Sequence, residues 1–123
     1  MPVPSIEELQ LLKPDMDALS ALSAEMKVVG VHAFALSEDG YTAHVRNFAP
    51  LYDIPEESAT GTANAALTYY LFSKGIVPAA CKCLFMQGEA MCRPSVVATE
   101  IKPDGTVYVG GNSYILAKGE MFV

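Results

Sequence analysis

The hydrophobic pattern predicts three helices, two of them short and close to the start of the chain. Ser5 followed by Glu8 forms a capping box that begins the first helix. Pro14 interrupts that helix, and Pro14-Asp15 begins a second one that extends to about Met26. The apolar face of the second helix holds Met16, Leu19 and Leu22.

The third helix follows Gly61 and is apolar around most of its circumference. One stripe at helical spacing comprises Ala63, Ala66, Leu67, Tyr70 and Leu71, and a second comprises Ala65, Tyr69 and Phe72. A helix of this kind is typically enclosed by protein, so we expect it at the centre of the fold.

The remaining apolar runs predict strands. Val28 to Leu36 is apolar on both faces, which is typical of a central strand, and Glu38-Asp39-Gly40 supplies a turn into its partner, Tyr41 to Ala49. Four later strands are predicted at residues 81–87, 94–101, 106–109 and 114–118, between Pro-Asp-Gly and Gly-Gly-Asn turns. The pattern predicts an α+β fold, with a mixed or antiparallel sheet wrapped around the central helix.

Composition narrows the class of protein. The 123 residues form one domain, 1–123, and 51% of them are hydrophobic, which indicates either a tightly buried core or an apolar face that needs a partner. A net charge of −6 with no basic cluster argues against nucleic acid or an anionic membrane as a partner. The absence of an apolar run of membrane-spanning length and of an opening signal peptide favours a cytoplasmic protein.

The three cysteines also favour a reducing cytoplasm, because an odd number does not complete a disulfide framework. Cys81 and Cys83 share one face of a predicted strand, while Cys92 is separate. Zinc sites need four ligands at closer spacing, so we expect free thiols and no metal.

The segment from Arg46 to Asn64 contains the strongest candidate site. It leads from the end of a strand through an acidic loop into a helix that starts at Gly61, and the free N–H groups of a first helical turn bind carboxylate or phosphate. Thr60 is placed to cap this helix, Gly61 lets a ligand approach the backbone, and Thr62 offers a hydroxyl. An ordinary capped helix start has the same spacing, and Glu57 by itself fits a solvated loop acid equally well.

Three sets of residues along the chain match a longer sequence pattern that includes this helix start. The first set is Arg46, Phe48, Pro50 and Ile54; the second runs through Glu56, Glu57, Ser58, Ala59, Thr60, Gly61, Thr62 and Ala63; the third is Gln87-Gly88, Met91, Arg93-Pro94-Ser95 and Val109-Gly110-Gly111. In this order they resemble the second-half signature of the PhzF-like (phenazine-biosynthesis) isomerases. That signature reads Arg-x-Phe-x-Pro, Gly-Ile-x-Glu-Asp-Pro-Ala-Thr-Gly-Ser-Ala and Gln-Gly…Met-x-Arg-Pro-Ser…Val-Gly-Gly.

The resemblance implies one lobe of the diaminopimelate-epimerase-like fold and a substrate-binding set of Glu57, Thr60, Gly61, Thr62 and Ala63. Thr62 matches a serine of the family, and Glu57 matches an aspartate that contacts substrate. The side chain of Glu57 is longer than that of aspartate, so its carboxylate is placed differently. Ser58 replaces the family's proline, which loosens the loop. Racemases of this fold carry a cysteine where this chain has Thr60, so racemisation by two thiols is not expected.

Other polar residues have ordinary alternatives. Arg46 and Arg93 match family positions and are candidates to balance an anionic substrate, but pairing with the chain's own acids is the commoner outcome. His32 and His44 are interpreted as structural or surface residues rather than as proton shuttles.

The family's catalytic glutamate lies in a first lobe that nothing in these residues resembles, and Val3-Pro4-Ser5 resembles the opening of the second lobe. The resemblance therefore implies half of a cofactor-independent isomerase, acting by proton transfer on a small carboxylate-bearing molecule, with the base supplied by a complementary first-lobe chain. The alternative is a non-catalytic homodimer that binds a small molecule, in which a second copy covers the apolar face.

Overall fold

The computed structural model describes residues 1–121. Their helices are α1 (Ile6–Leu11), α2 (Met16–Met26) and α3 (Gly61–Ser73), with single 3-10 turns at Pro50–Tyr52 and Glu89–Met91. Their strands are β1 (Val31–Leu36), β2 (Ala43–Ala49), β3 (Ile54–Glu57), β4 (Lys82–Gln87), β5 (Ser95–Ile101) and β6 (Val107–Gly110). The predicted α+β class is confirmed.

The strands form one mixed sheet in the order β1-β2-β4-β5-β6, with β3 also paired to β2. Only the β2–β4 pair is parallel among the described strands; the other pairs are antiparallel. The hairpin predicted at Glu38-Asp39-Gly40 joins β1 to β2, which pair from Val31 opposite Phe48 to Leu36 opposite Ala43.

The central strand is β2, not β1 as the sequence predicted. All seven residues of β2 are buried, and it has strands on both edges, whereas β1 has only a single bridge, from Pro2 to Phe34, on its outer edge. The prediction was wrong because apolar residues on both faces of a strand report layers above and below the sheet, and not neighbours on both of its edges.

The two faces of the sheet pack against different helices. On one face, Leu67 and Leu71 of α3 join Phe34, Val45 and Phe85 of the sheet in the main core. On the other face, α1 and α2 cover a smaller cluster built around Leu9, Ala33, Ala35 and Phe48. Side chains alternate between the two faces along each strand, so neighbouring residues of β2 serve different layers.

Three further elements differ from the prediction. Residues 114–118 form no strand in the described part of the chain, and Tyr114 and Leu116 are 85% and 97% exposed. Strand β3, which the sequence presented as an acidic loop interrupted by Pro55, pairs with the end of β2. The helix α3 is only partly enclosed, since Tyr69 and Tyr70 remain 53% and 40% exposed.

Candidate functional site

The site lies where the sheet forks beside β2. One edge of β2 pairs with β4 from Ala43 to Val45, and with β3 beyond that point, where Asn47 stands opposite Glu57. The last residue of β4, Gln87, therefore meets the last residue of β3, Glu57, just before α3 begins. This fork brings together residues that are widely separated in the sequence.

Gln87 holds the fork together. Its fully buried side chain accepts hydrogen bonds at Oε1 from the amide of Thr60 (3.1 Å) and from Nδ2 of Asn64 (2.9 Å). Its Nε2 donates to the carbonyl of Glu57 (2.6 Å) and to Oγ1 of Thr60 (3.0 Å). These four bonds satisfy the bonding capacity of a side-chain amide, so Gln87 fixes the approach of β3 to α3.

Thr60 and Glu57 are joined directly. The Thr60 hydroxyl donates to Oε2 of Glu57 at 2.9 Å, which gives the acid the hydroxyl partner that a carboxylate beside an anion site needs. Thr60 occupies the N-cap position of α3 as predicted, but its side chain makes no capping bond to the helix. The hydroxyl is committed to Glu57 and Gln87 instead.

The first turn of α3 consequently keeps its amides free of side-chain partners. In residues 1–121, no hydrogen bond outside the helix is made by the N–H groups of Gly61, Thr62 or Ala63. Gly61 lets β6 pack closely on the start of α3, because a Cβ there would come within 3.2 Å of Cγ1 of Val109. The geometry retains the free donors and the positive dipole end that bind anions.

A cavity of about 590 Å³ opens beside this turn and extends along α3 toward Tyr70. Of the predicted site residues, Thr60, Thr62 and Ala63 line it, while Glu57 and Gly61 lie outside the lining. Phe34, Ala66, Leu67 and Tyr70 make its walls apolar, and the polar lining includes His32 and Asn47. None of its described lining side chains is a lysine, arginine, aspartate or glutamate.

His32 connects the cavity to the fork. Its Nδ1 lies 3.1 Å from Oδ1 of Asn47, and its Nε2 lies 3.3 Å from Oδ1 of the fully buried Asn64. Burial lowers the pKa of His32 below its ordinary value, against the smaller opposing effect of these two hydrogen bonds. Sequence reasoning missed His32, Asn47, Asn64 and Gln87 as site residues, since only the strand register places them together.

The predicted arginines do not enter the cavity. Arg46 is buried on the opposite face of β2, where its guanidinium binds both oxygens of Glu56 at 2.8 Å and donates to carbonyls at the end of α1. This arrangement satisfies helix-end carbonyls that otherwise lack partners. Arg93 is exposed and does not line the cavity.

His44 is also structural. Its ring lies between two carboxylates, with Nδ1 2.5 Å from Glu89 and Nε2 2.9 Å from Asp39. Burial opposes a charge on this ring, but the hydrogen bonds to Glu89 and Asp39 outweigh burial and raise its pKa. The hydrogen bond from Ser37, with help from His44, lowers the pKa of Asp39 to about 2.

The cysteines lie away from the cavity. Cys83 is buried in the main core, where burial raises the pKa of its thiol, and Cys92 is exposed. Within residues 1–121, no three histidine, cysteine, aspartate or glutamate side chains are grouped so as to hold a metal ion. No helix in the same range combines the length and apolarity that crossing a membrane requires.

This chain is similar to known proteins over nearly all of its length. The family model described as phenazine biosynthesis-like protein (PhzC-PhzF) matches residues 1–119. The chain belongs to this family. The resemblance seen in the sequence motifs is therefore confirmed, together with the relationship to isomerases and epimerases.

Individual relatives of this chain are also described as isomerases or epimerases. An uncharacterized isomerase of Deinococcus radiodurans is 35% identical over 97% of this chain, and a trans-2,3-dihydro-3-hydroxyanthranilate isomerase of Pseudomonas chlororaphis is 31% identical over 95%. The solved structure of a predicted epimerase from Pseudomonas aeruginosa superposes on 100% of this chain with a TM-score of 0.74 and 26% identity. The chain spans 41% of both sequence relatives and 42% of the solved chain.

Proposed function

We propose that this chain forms one wall of the substrate cleft of a PhzF-type isomerase, and that a second chain supplies the wall that carries the catalytic base. The reaction would be a cofactor-independent proton transfer on a small carboxylate-bearing molecule. The hydrogen-bonded group of Glu57, Thr60 and Gln87, set against the open first turn of α3 and its cavity, is the observation that carries this proposal.

The substrate carboxylate is assigned to the amides of Gly61, Thr62 and Ala63. Because the cavity has no lysine or arginine side chain among its described lining residues, we assign the anion to these amides and the helix dipole, with the amino group of Met1 as a further donor in the lining. The apolar walls of Phe34, Leu67 and Tyr70 suit the carbon skeleton of a ring. A ring with a carboxylate is also the substrate class in the name of the Pseudomonas chlororaphis relative.

The base is assigned to another chain because the described residues of the site contain no group poised for that role. Oε2 of Glu57 accepts a hydrogen bond from the Thr60 hydroxyl and Glu57 lies outside the cavity lining, and both ring nitrogens of His32 are engaged by asparagine side chains. The chain's share of its relatives, about two fifths, is consistent with a cleft that needs a complementary lobe.

Binding of 3-hydroxyanthranilate, followed through backbone amide resonances, tests the carboxylate site. We expect the largest shifts at Gly61, Thr62 and Ala63, and we expect Thr62→Trp to abolish them by filling the mouth of the cavity. Thr106→Trp is the matched control, since Thr106 is exposed and outside the cavity lining. Unchanged binding in Thr62→Trp would contradict the assignment.

Turnover tests the two-chain form. The chain would be mixed with a first-lobe chain encoded next to it, and deuterium incorporation from D₂O into the substrate would be followed by mass spectrometry. We expect a complex and exchange only when both chains are present. Finding neither would contradict the proposed enzyme.

A second function, a homodimeric binding module, is favoured by the apolar surface left uncovered. Tyr69 and Tyr70 on α3, and Tyr114, Ile115 and Leu116 after β6, are all at least 40% exposed. Such surfaces commonly mark contacts with another chain. Light scattering that shows a monomer at micromolar concentration would exclude this form.

A further inference from the structure

The side chain of Asn64 has one fixed orientation. Its Nδ2 donates to the carbonyl of Thr60 and to Oε1 of Gln87, both at 2.9 Å, so turning the amide over would break two bonds. Oδ1 of Asn64 therefore faces Nε2 of His32. Since a carbonyl oxygen only accepts, Nε2 must carry a proton.

The opposite side of the ring is adaptable. Burial favours the neutral form of His32, in which a protonated Nε2 leaves Nδ1 as an acceptor. In the structure Oδ1 of Asn47 lies 3.1 Å from Nδ1, so the neutral ring requires the Asn47 amide to turn over and present its nitrogen. In residues 1–121 the side chain of Asn47 makes no second hydrogen bond that would resist this turn. If the ring gains a second proton, Asn47 presents Oδ1 instead.

We infer that His32 is a positioning residue for the Asn64–Gln87–Thr60 chain of hydrogen bonds, and that it takes up a proton when an anion occupies the cavity. The bond from Nε2 to Asn64 is the same in both protonation states, so the fork stays aligned while the ring changes its charge. This inference rests on the proposed carboxylate site, whose affinity it makes dependent on pH.

The groups that face His32 from neighbouring elements include one cation, the amino group of Met1, whose charge lowers the pKa of the ring. From the opening segment, the amino group of Met1 donates to the carbonyl of His32 at 2.8 Å, and burial lowers the pKa of that amine. Tyr70 of α3 lines the same cavity, and Glu57 of β3 stands opposite Asn47 in the sheet. A bound carboxylate favours the protonated ring, and by linkage the protonated ring favours the carboxylate.

The imidazole ¹⁵N spectrum of the full chain tests the positioning role without any ligand. We expect Nε2 to be protonated and Nδ1 unprotonated near neutral pH. His32→Leu should shift the side-chain amide resonances of Asn64 and Gln87, and His32→Gln, which retains an N–H donor, should return them toward the original positions. His44→Gln, on the other face of the sheet, should leave them unchanged. An Nδ1-protonated ring, or unmoved resonances in His32→Leu, would overturn the positioning role.

Benzoate and its uncharged match benzamide test the proton uptake. Between pH of about 8 and about 5.5, where benzoate stays ionised, we expect benzoate affinity to rise about threefold to tenfold as the ring takes up its proton. We expect benzamide affinity to stay constant. His32→Gln should remove the rise, and acetylation of the amino group of Met1 should preserve it.

Different results would contradict the proton uptake and the positioning role of His32. An equal rise in His32→Gln would overturn proton uptake by this ring. Benzoate that does not bind at any pH would overturn the uptake together with the proposed carboxylate site, while the tautomer and the His32→Leu spectrum would still decide the positioning role.

Discussion

The two faces of the sheet carry polar residues of different kinds. Toward α1, β2 presents His44 and Arg46, and both are closed by carboxylates at hydrogen-bond distance. Toward α3, the polar residues are uncharged amides and one imidazole, namely His32, Asn47, Asn64 and Gln87. The paired charges stabilise the α1 face, whereas the described side chains that line the cavity include no lysine, arginine, aspartate or glutamate.

The two faces differ because burying a charge costs less free energy where an opposite charge lies beside it. A charge on the α1 face is neutralised within the protein, so its desolvation is offset locally. A charge on the α3 face would remain in an apolar cavity without a partner until a ligand arrived. Amides position one another without that penalty, and they leave the helix amides as the donors for an anion.

Removing Arg46 should produce the largest effect. Arg46→Met leaves Glu56, only 14% exposed, without its partner and uncaps the end of α1, so we expect a loss of about 3–5 kcal/mol in the free energy of unfolding. Urea denaturation measures the loss. Arg93→Met is the matched control, and as an exposed site it should change stability by less than about 0.5 kcal/mol. Similar stability in the two variants would contradict a structural role for Arg46.

Substituting two glutamines, one on each face of the sheet, distinguishes effects on the candidate site from effects on the structural α1 face. Gln87→Met strands the amide of Thr60 and the side chain of Asn64, so we expect a loss of roughly 1–3 kcal/mol and of 3-hydroxyanthranilate binding. The side chain of Gln10 makes one hydrogen bond, to Glu89 on the α1 side. Gln10→Met should leave binding unchanged, as seen by titration of amide resonances. Equal binding in both variants would contradict the assignment of the site to the α3 face.

The elements of the fold were largely predictable because caps and turns are local. Ser5 and Asp15 accept from the amides of Glu8 and Ala18, as capping residues should. The strand predicted at 114–118 was wrong for a non-local reason, since its apolar pattern is present but these residues pair with no strand in the described part of the chain. Strand β3 was missed because Pro55 and its neighbouring acids disfavour a strand by propensity, while pairing with β2 overrides that preference.

The site was only partly predictable. Glu57, Thr60 and the helix start were found through the family motif, and the structure brings these residues together. The charged candidate Arg46 belongs to the scaffold instead, and His44 is structural as predicted. The residues around the cavity were missed because His32 and Asn64 are 32 positions apart and meet only through the register that sets His32 opposite Asn47. A motif at a helix start lies in one continuous segment, whereas the fork in the sheet is formed by β2, β3 and β4, which are separate in the sequence.

The two histidines give the finest test of the difference between the faces, because their pKa values move in opposite directions. The raised pKa of His44 means that its contribution is complete below its unfolded value of about 6.5 and is lost as pH rises through the folded pKa. The lowered pKa of His32 means that the folded state resists protonation. Stability therefore falls as pH drops below about 6.5, until the folded ring is also protonated.

Urea denaturation across this range, with His44→Gln and His32→Gln beside the unmodified chain, measures the two contributions separately. We expect His44→Gln to make the protein relatively less stable on the acidic side of neutrality, and His32→Gln to make it relatively more stable there. Identical pH profiles for the two variants would mean that both rings sit in equivalent surroundings, and the distinction between a charged structural face and a neutral binding face would then fail. Opposite slopes would show that the fold favours a charged ring on the α1 face and a neutral ring on the α3 face.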